Sequence, residues 1–290
     1  MTKKCPRKKC SHVGGQAVIE GVLMKNEDKV AIAVRKPNRK ITVKKQRWPS
    51  VSKKIKFLGW PFFRGTVNLI EMLVMGIKAL NYSANESIGE KEEKISTKEF
   101  VATTIIALAV AIGLFILLPL YLTKITNTKG VVFNIIDGAI RVVLFILYIL
   151  AISFMRDVRR LFQYHGAEHK TVNCYEAGKK ITVANVKKYS TLHRRCGTTF
   201  ILIVLVISII IFSLIVTDNF WIKFTGRILL LPVIAGISYE LLKLGAKFPK
   251  NILLNLLVWP GLGLQKLTTR EPDKKQIEVA IKAFKAVVKT

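Results

Sequence analysis

Acidic residues are scarce in this chain, which has 18 Asp and Glu against 47 Lys and Arg in 290 residues, a formal net charge of +29 at pH 7. Hydrophobic residues nevertheless make up 51% of the sequence, and the mean hydropathy is above zero. Soluble domains rarely combine these two properties, so the apolar and the basic residues must occupy separate parts of the chain.

Several familiar motifs are also absent from the sequence. It contains neither a phosphate-binding glycine loop nor a G-x-S-x-G nucleophile motif, so nucleotide hydrolysis and serine-hydrolase chemistry have no support. The basic segment 1–10 is not followed by an apolar core with a small-residue cleavage site. We therefore expect no secretory signal peptide, and expect the internal apolar segments to direct insertion.

Long apolar stretches are the main feature that is present. Four segments come near the ~20 residues that a spanning helix needs, at 100–122, 131–155, 199–216 and roughly 227–244. We predict a mainly α-helical polytopic membrane protein with about four transmembrane helices, which form a transmembrane domain over 100–245.

The distribution of Lys and Arg predicts the orientation. Residues 1–99, 156–198 and 240–290 hold 22, 10 and 10 of them, against 2 in 123–130 and 2 in 217–227. Since loops rich in Lys and Arg stay inside, both termini and the loop 156–198 should be cytoplasmic. Thiols are kept reduced there, so the four cysteines should be free thiols or metal ligands, namely Cys5, Cys10, Cys174 and Cys196.

The N-terminal region, 13–99, follows a basic tail at 1–12. Turn-forming clusters separate three short runs rich in Val and Ile, at 16–24, Lys29–Arg35 and 40–46. This pattern predicts a small cytoplasmic antiparallel β-meander of three strands, packed on an element that the sequence does not identify. The apolar segment 57–80 contains Arg64 and Glu71, which favours an interfacial or cytoplasmic amphipathic helix, and a charged linker follows it.

The C-terminal region, 246–290, has two parts. Segment 251–267 contains Pro260 and is short for a span, so we prefer a membrane-surface or re-entrant segment. The last part, 274–289, is predicted to be a basic cytoplasmic helix with one apolar face.

The run His165-Gly166-Ala167-Glu168-His169 lies in the predicted cytoplasmic loop. On a helix, imidazoles at i and i+4 point the same way and Glu168 lies beside them. The order H-x-x-E-H matches the inverzincin pattern, in which two His hold zinc and the Glu activates a water. The run therefore predicts a divalent metal site, zinc or a similar ion, with Glu168 as general base.

A second cluster, His193-Arg194-Arg195-Cys196, comes just before the third predicted span and so emerges from the same membrane face. His165 and His169 with either His193 or Cys196 would give the three protein ligands and open position of a catalytic zinc site, whereas all four would close a structural tetrahedron. Candidates for a further ligand, or for hydrogen bonds to the ligands, are Glu176, Glu240 and Cys174. Asp137 and Arg141, at i and i+4, are predicted to form a structural ion pair.

Four segments together resemble one family: G-G-Q-A-V-I-E-G-V-L-M at 14–24, Y-H-G-A-E-H-K at 164–170, H-x-R-C-G-T at 193–198 and G-I-S-Y-E at 236–240. The chain resembles the YqhQ-like bacterial membrane proteins over nearly its whole length. This family has a domain of unknown function and is labelled as predicted metal-dependent enzymes. The resemblance implies a multi-pass protein of the bacterial cell (inner) membrane and names no substrate.

Two functions remain open on the sequence. The first is a metal-dependent hydrolase whose site lies at the cytoplasmic membrane surface. The second is a non-enzymatic membrane factor with a structural metal, whose basic cytoplasmic face docks an anionic partner. That partner would be the ribosome, the translocation machinery or anionic lipid headgroups, because each binds clustered Lys and Arg.

Overall fold

The computed structural model describes residues 13–61, 63–88, 96–215, 217 and 219–288. The basic tail with Cys5 and Cys10, and part of the charged linker, lie outside these residues. The strands are β1 (Val13–Val18), β2 (Gly21–Asn26), β3 (Lys29–Arg35) and β4 (Ile41–Arg47). The helices of the first half are α1 (Val51–Lys54), α2 (Phe63–Ser87), α3 (Thr97–Ile112), α4 (Leu118–Ile125) and α5 (Gly130–Ser153). Those of the second half are α6 (Arg156–Glu176), α7 (Val183–Val186), α8 (Gly197–Ser213), α9 (Phe220–Lys247), α10 (Ile252–Thr268) and α11 (Lys274–Val287).

The four strands form one antiparallel sheet in the order β1-β2-β3-β4. The prediction of three strands is wrong, because the run 16–24 divides at a two-residue turn where Val18 pairs with Gly21. Ile19 and Glu20 form this turn, and Glu20 adopts a positive φ of 51°. Neither residue is typical of hairpin turns. Distant contacts hold the turn instead, since Arg160 of α6 binds the Glu20 carboxylate.

Helices cover both faces of this sheet. On one face Val22 and Met24 pack with residues of α6 and α11, such as Tyr164 and Phe284. On the opposite face Leu23, Ile32 and Val34 pack with Met75 and Ala79 of α2. Strands buried on both faces need no alternation of apolar and polar residues. This explains why the sequence pattern does not fix the register, and it identifies the elements on which the sheet packs.

Among the residues that the structure describes, three helices are long and apolar enough to cross a membrane: Thr97–Ile125, in which a π-helical turn at Gly113–Leu117 joins α3 to α4, then α5 and α9. Of the roughly four predicted transmembrane helices, three are therefore supported. The segment 199–216 corresponds to α8, which has 17 residues because the helix ends at Ser213. At 1.5 Å per residue α8 is about 26 Å long, against roughly 30 Å of hydrocarbon.

Helix α8 is nevertheless central to the bundle, where it packs against α5, α9 and α10. The predicted ion pair between Asp137 and Arg141 of α5 is confirmed, with Arg141 Nη2 2.7 Å from Asp137 Oδ2. The same carboxylate also accepts from Arg227 of α9 at 2.7 Å, and Arg141 donates to Ser208 of α8. All three ionisable side chains are buried, so this network ties three helices together.

Candidate metal centre

Helix α6 begins three residues after α5 ends and continues without interruption to Glu176. It therefore presents His165, Glu168 and His169 on one side, as the spacing predicts, and the two imidazole rings have their centroids 4.4 Å apart. The fold also brings the cluster His193–Cys196 close to α6, because the residues that precede α8 return to the end of the bundle where α5 ends and α6 begins.

Cys196 is the N-cap of α8, where its sulfur accepts a hydrogen bond from the backbone N–H of Thr198 at 3.3 Å. The positive end of the helix dipole favours negative charge at this position. Cys196 Sγ lies 3.3 Å from His165 Nε2. The ligand atoms of His165, His169 and Cys196 all lie within 4.8 Å of one another. Ligands bound tetrahedrally at 2.0–2.3 Å lie about 3.3–3.8 Å apart, so little movement would bring these three around one ion.

Backbone carbonyl groups orient both imidazoles. His165 Nδ1 lies 2.9 Å from the carbonyl oxygen of Thr268, and His169 Nδ1 lies 2.5 Å from that of Thr191. Since a carbonyl oxygen only accepts hydrogen bonds, each Nδ1 must bear the proton. Each Nε2 is then left with its lone pair, which is the arrangement found in histidines that bind metals.

Burial shifts the pKa of the two imidazoles and the pKa of the neighbouring carboxyl group in opposite directions. Loss of solvation lowers the pKa of both His165 and His169, which keeps the imidazoles neutral. Burial also raises the pKa of Glu168, with the positive charge of Arg195 among the opposing influences. Glu168 Oε2 lies 3.5 Å from His169 Nε2. The site therefore combines neutral nitrogen donors, a thiol and a carboxyl group with raised proton affinity.

Strand β1 closes the site on the side of Glu168, whose carboxyl group accepts from the backbone N–H of Gly15. A Cβ atom at Gly15 would lie 2.3 Å from the Leu23 carbonyl oxygen and 3.0 Å from Glu168 Cγ. A side chain here would clash with the backbone of β2 and press on Glu168, so glycine is required where β1 passes the helix. The His and Cys motifs do not indicate this strand, although Gly15 lies in one of the four segments on which the family resemblance rests.

His193 lies beside the three convergent side chains, with its ring centroid 5.6 Å from that of His169. Its Nε2 lies 3.4 Å from Glu176 Oε2, and Arg195 binds the same carboxylate. Gln265 of α10 holds the backbone of His193, because its amide accepts from the N–H at 2.9 Å and donates to the carbonyl oxygen at 2.8 Å. Sequence reasoning gave no role to Gln265 or Arg195.

These residues enclose a small cavity of about 50 Å³. It is lined by Val13, Gly14, Gly15, His165, Glu168, His169, His193, Arg195, Cys196 and Gly197. A water needs roughly 10–15 Å³ on this measure, so the cavity has room for an ion and a few waters.

The other two predicted site residues lie elsewhere. Glu240 binds Arg64 of α2 through both carboxylate oxygens, at 2.6 and 2.5 Å, and does not line the cavity. Cys174 is buried in the core between the sheet, α6 and α11, where burial raises the pKa of its thiol. Glu176 contacts His193 and Arg195, so it is a hydrogen-bonding partner of these two side chains beside the cavity.

The helices and the His/Cys cluster define a class of protein: an apolar helical bundle with a sheet-capped cluster of His and Cys side chains at one end. Comparison with known proteins then gives its family. The family described as "Protein of unknown function (DUF1385)" matches residues 60–290. A relative described as "Uncharacterized protein YqhQ", from Bacillus subtilis (strain 168), is 36% identical over 300 residues, which covers 95% of this chain and 92% of the relative.

The chain therefore belongs to the DUF1385 family and is YqhQ-like over nearly its whole length, as the resemblance of its motifs indicated. No solved structure matches it.

Helix α6 and the segment after α10 come very close together at Gly166, where a Cβ atom would be 2.1 Å from the carbonyl oxygen of Arg270. Gly166→Ala should push the segment after α10 away from α6 and weaken the Thr268–His165 hydrogen bond. We expect a loss of about 1–3 kcal/mol, as for overpacked cores, measured by thermal melting in detergent. Gly263→Ala is the matched control, since a Cβ there meets nothing within 4 Å. Equal melting of both variants would contradict the role of Gly166.

Proposed function

We propose that this chain is an integral membrane protein that binds a divalent ion, zinc or a similar metal, and uses it for hydrolysis near the membrane surface. The observation that supports this best is the convergence of His165, His169 and Cys196, in which both imidazoles direct an unprotonated Nε2 inward. Two His and one Cys are ligands that zinc prefers, and three protein ligands leave one position open.

The topology we propose has four spans, with α8 as the fourth. Helix α8 is apolar, packs between α5, α9 and α10, and is joined to α9 by a short connection. If α8 crosses, both termini and the His/Cys cluster lie on one side, together with most of the Lys and Arg. The positive-inside rule makes that side the cytoplasm of a bacterial cell, and the membrane its inner membrane.

A bound divalent ion would supply Lewis acidity and acidify a coordinated water. The chain's own contribution is proton transfer by Glu168, whose buried carboxyl group has a raised pKa. A carboxylate with raised proton affinity is suited to accept a proton near neutral pH, as a general base must. The hydrogen bond from the Gly15 N–H fixes its position, and Arg195, which lines the cavity, would supply positive charge to stabilise a developing oxyanion.

Metal content tests the binding step. Elemental analysis of the purified protein should find about one divalent ion per chain, since the cavity holds one group of three ligands. The double variant His165→Ala/His169→Ala and the single variant Cys196→Ser should lose it. Cys174→Ser is the matched control, because that thiol is buried away from the cavity. Equal metal content in the wild type and the ligand variants would exclude this site.

Glu168→Gln separates catalysis from structure, because glutamine keeps the shape but cannot accept the proton. The variant should retain the metal and melt near the wild-type temperature, yet lose function by about 100-fold or more, as typical for a general base. Function is scored by competitive growth of a deletion strain complemented with each variant. Full complementation by Glu168→Gln would favour a structural metal.

The second function, a structural metal with a basic docking face, is favoured by one feature of the surface. Exposed basic side chains lie on β4, an edge strand of the sheet, and on α11, which contacts β4. They are Lys45, Arg47, Lys282 and Lys285. We propose the ribosome or the translocation machinery as the partner, with anionic lipid headgroups as the alternative, because phosphate groups attract such a cluster.

Co-sedimentation with ribosomes in detergent tests this docking. The bound fraction should fall steeply between 50 and 200 mM salt, by about 10-fold or more if several phosphates are contacted. Reversing the charge of Lys282 and Lys285 should weaken binding without changing the metal content. If no ribosomes co-sediment at low salt, ribosome docking is excluded and the lipid alternative is tested with anionic vesicles.

A further inference from the structure

The connection between the sheet and α2 exposes a cluster of large apolar side chains. Ile55, Phe57, Trp60 and Phe63 are each exposed by between 47% and 62%. The rings of Phe57 and Phe63 pack edge to face, with centroids 5.0 Å apart. Lys54 and Lys56, among these residues, are exposed as well. A soluble surface rarely groups aromatic side chains in this way, so the patch indicates an interaction site.

The start of α2 lies against α9, a helix long and apolar enough to cross a membrane. A Cβ atom at Gly65 would lie 3.0 Å from Gly236 Cα, and Thr66 Oγ1 donates to the carbonyl oxygen of Pro232 at 2.7 Å. Gly236 is eleven residues before the last residue of α9, about 17 Å along its axis. The backbones therefore meet well inside α9, within the apolar segment 227–244 that the sequence predicts to span the bilayer.

The segment before α2 forms a hairpin with it. The N–H of Val51 and the hydroxyl of Ser50 both bind Glu71 Oε1, at 2.6 and 3.0 Å. From Ser50, which lies beside Glu71, the chain thus runs away from Glu71, turns near Trp60 and returns to Glu71 along α2. Further along α2, Met75 and Ala79 pack on the sheet. The tip of the hairpin consequently lies on the side of Glu71 that faces away from the sheet.

The hairpin lies at the same end of the bundle as the His/Cys cluster. Arg194, two residues before Cys196, contacts the carbonyl oxygen of Gly245 near the C-terminal end of α9. The ion pair between Arg64 and Glu240 joins α2 to the C-terminal half of α9. The exposed apolar face of α9 is continuous with the hairpin tip, since Leu231 and Val233 are exposed beside the contact with Thr66.

We propose that residues 51–61 and 63–71 form a re-entrant wedge, whose tip inserts into the leaflet next to the His/Cys cluster and binds anionic phospholipid. Aromatic side chains settle at the boundary between headgroups and acyl chains, while lysines extend to the phosphates. The aromatic side chains and the lysines of the patch therefore both match an anionic phospholipid. The wedge requires no metal and is independent of the proposed hydrolysis.

Fluorescence quenching by brominated phospholipids tests the insertion of Trp60. Four single-tryptophan variants of the full chain, each made by replacing the other three tryptophans with Phe, are placed in vesicles of anionic and zwitterionic phospholipid with brominated acyl chains. Trp60 emission should fall by about twofold or more relative to unbrominated vesicles, as expected for insertion to roughly 5–10 Å. Trp48 lies beside Lys78, at the level of the sheet, and should change little.

Trp221, near the other end of α9 and exposed, serves as the control for incorporation. Quenched Trp221 with unquenched Trp60 would overturn the wedge and leave the patch to a protein partner. Lys54→Glu/Lys56→Glu in the Trp60-only chain should reduce quenching in anionic vesicles and leave it unchanged in purely zwitterionic ones. Equal quenching in both lipids, before and after this change, would overturn the preference for anionic lipid.

Discussion

Two backbone carbonyl groups, those of Thr268 and Thr191, set the chemistry of the candidate metal centre, because they decide which nitrogen of each imidazole bears the proton. The carbonyls come from segments far from α6 in sequence, so the site exists only when α10 and the loop before α8 are docked. Gly166 allows one of those segments to approach, and Gln265 fixes the other through the backbone of His193. The orientation of the ligands is thus a property of the assembled end of the bundle rather than of the H-x-x-E-H run.

The sheet and the bundle depend on each other at this point. Gly15 of β1 donates its N–H to Glu168. Arg160, about two turns before Glu168 on α6, binds Glu20 in the turn that follows β1. Both contacts join the sheet to the helix that positions the histidines. Removing the sheet would expose the carboxyl group to water and remove the burial that raises its pKa. The small N-terminal domain therefore has a direct part in the electrostatics of the site.

Sequence reasoning could predict what depends on local periodicity. The apolar runs that became α5 and α9, the face of α11 and the i, i+4 geometry of His165 and His169 all follow from helical spacing. It could not predict the turn at Glu20, which distant Arg160 holds, or the end of α8 at Ser213, since Leu214 and Ile215, which follow it, are equally apolar. Nor could spacing show that Glu240 binds Arg64: an acidic residue in a span needs a partner, and the partner lies 176 positions away.

The choice between three and four protein ligands turns on His193. Its Nδ1 accepts from the N–H of Arg195 at 3.4 Å, so its Nε2 bears the proton and donates to Glu176 at 3.4 Å. To bind a metal, this imidazole would have to give up one of these contacts and move its ring toward His169, while Gln265 holds its backbone by two hydrogen bonds. His165, His169 and Cys196 need no such rearrangement. These hydrogen bonds support the proposed site of three ligands and one open position, which the proposed reaction would require and a structural tetrahedron lacks.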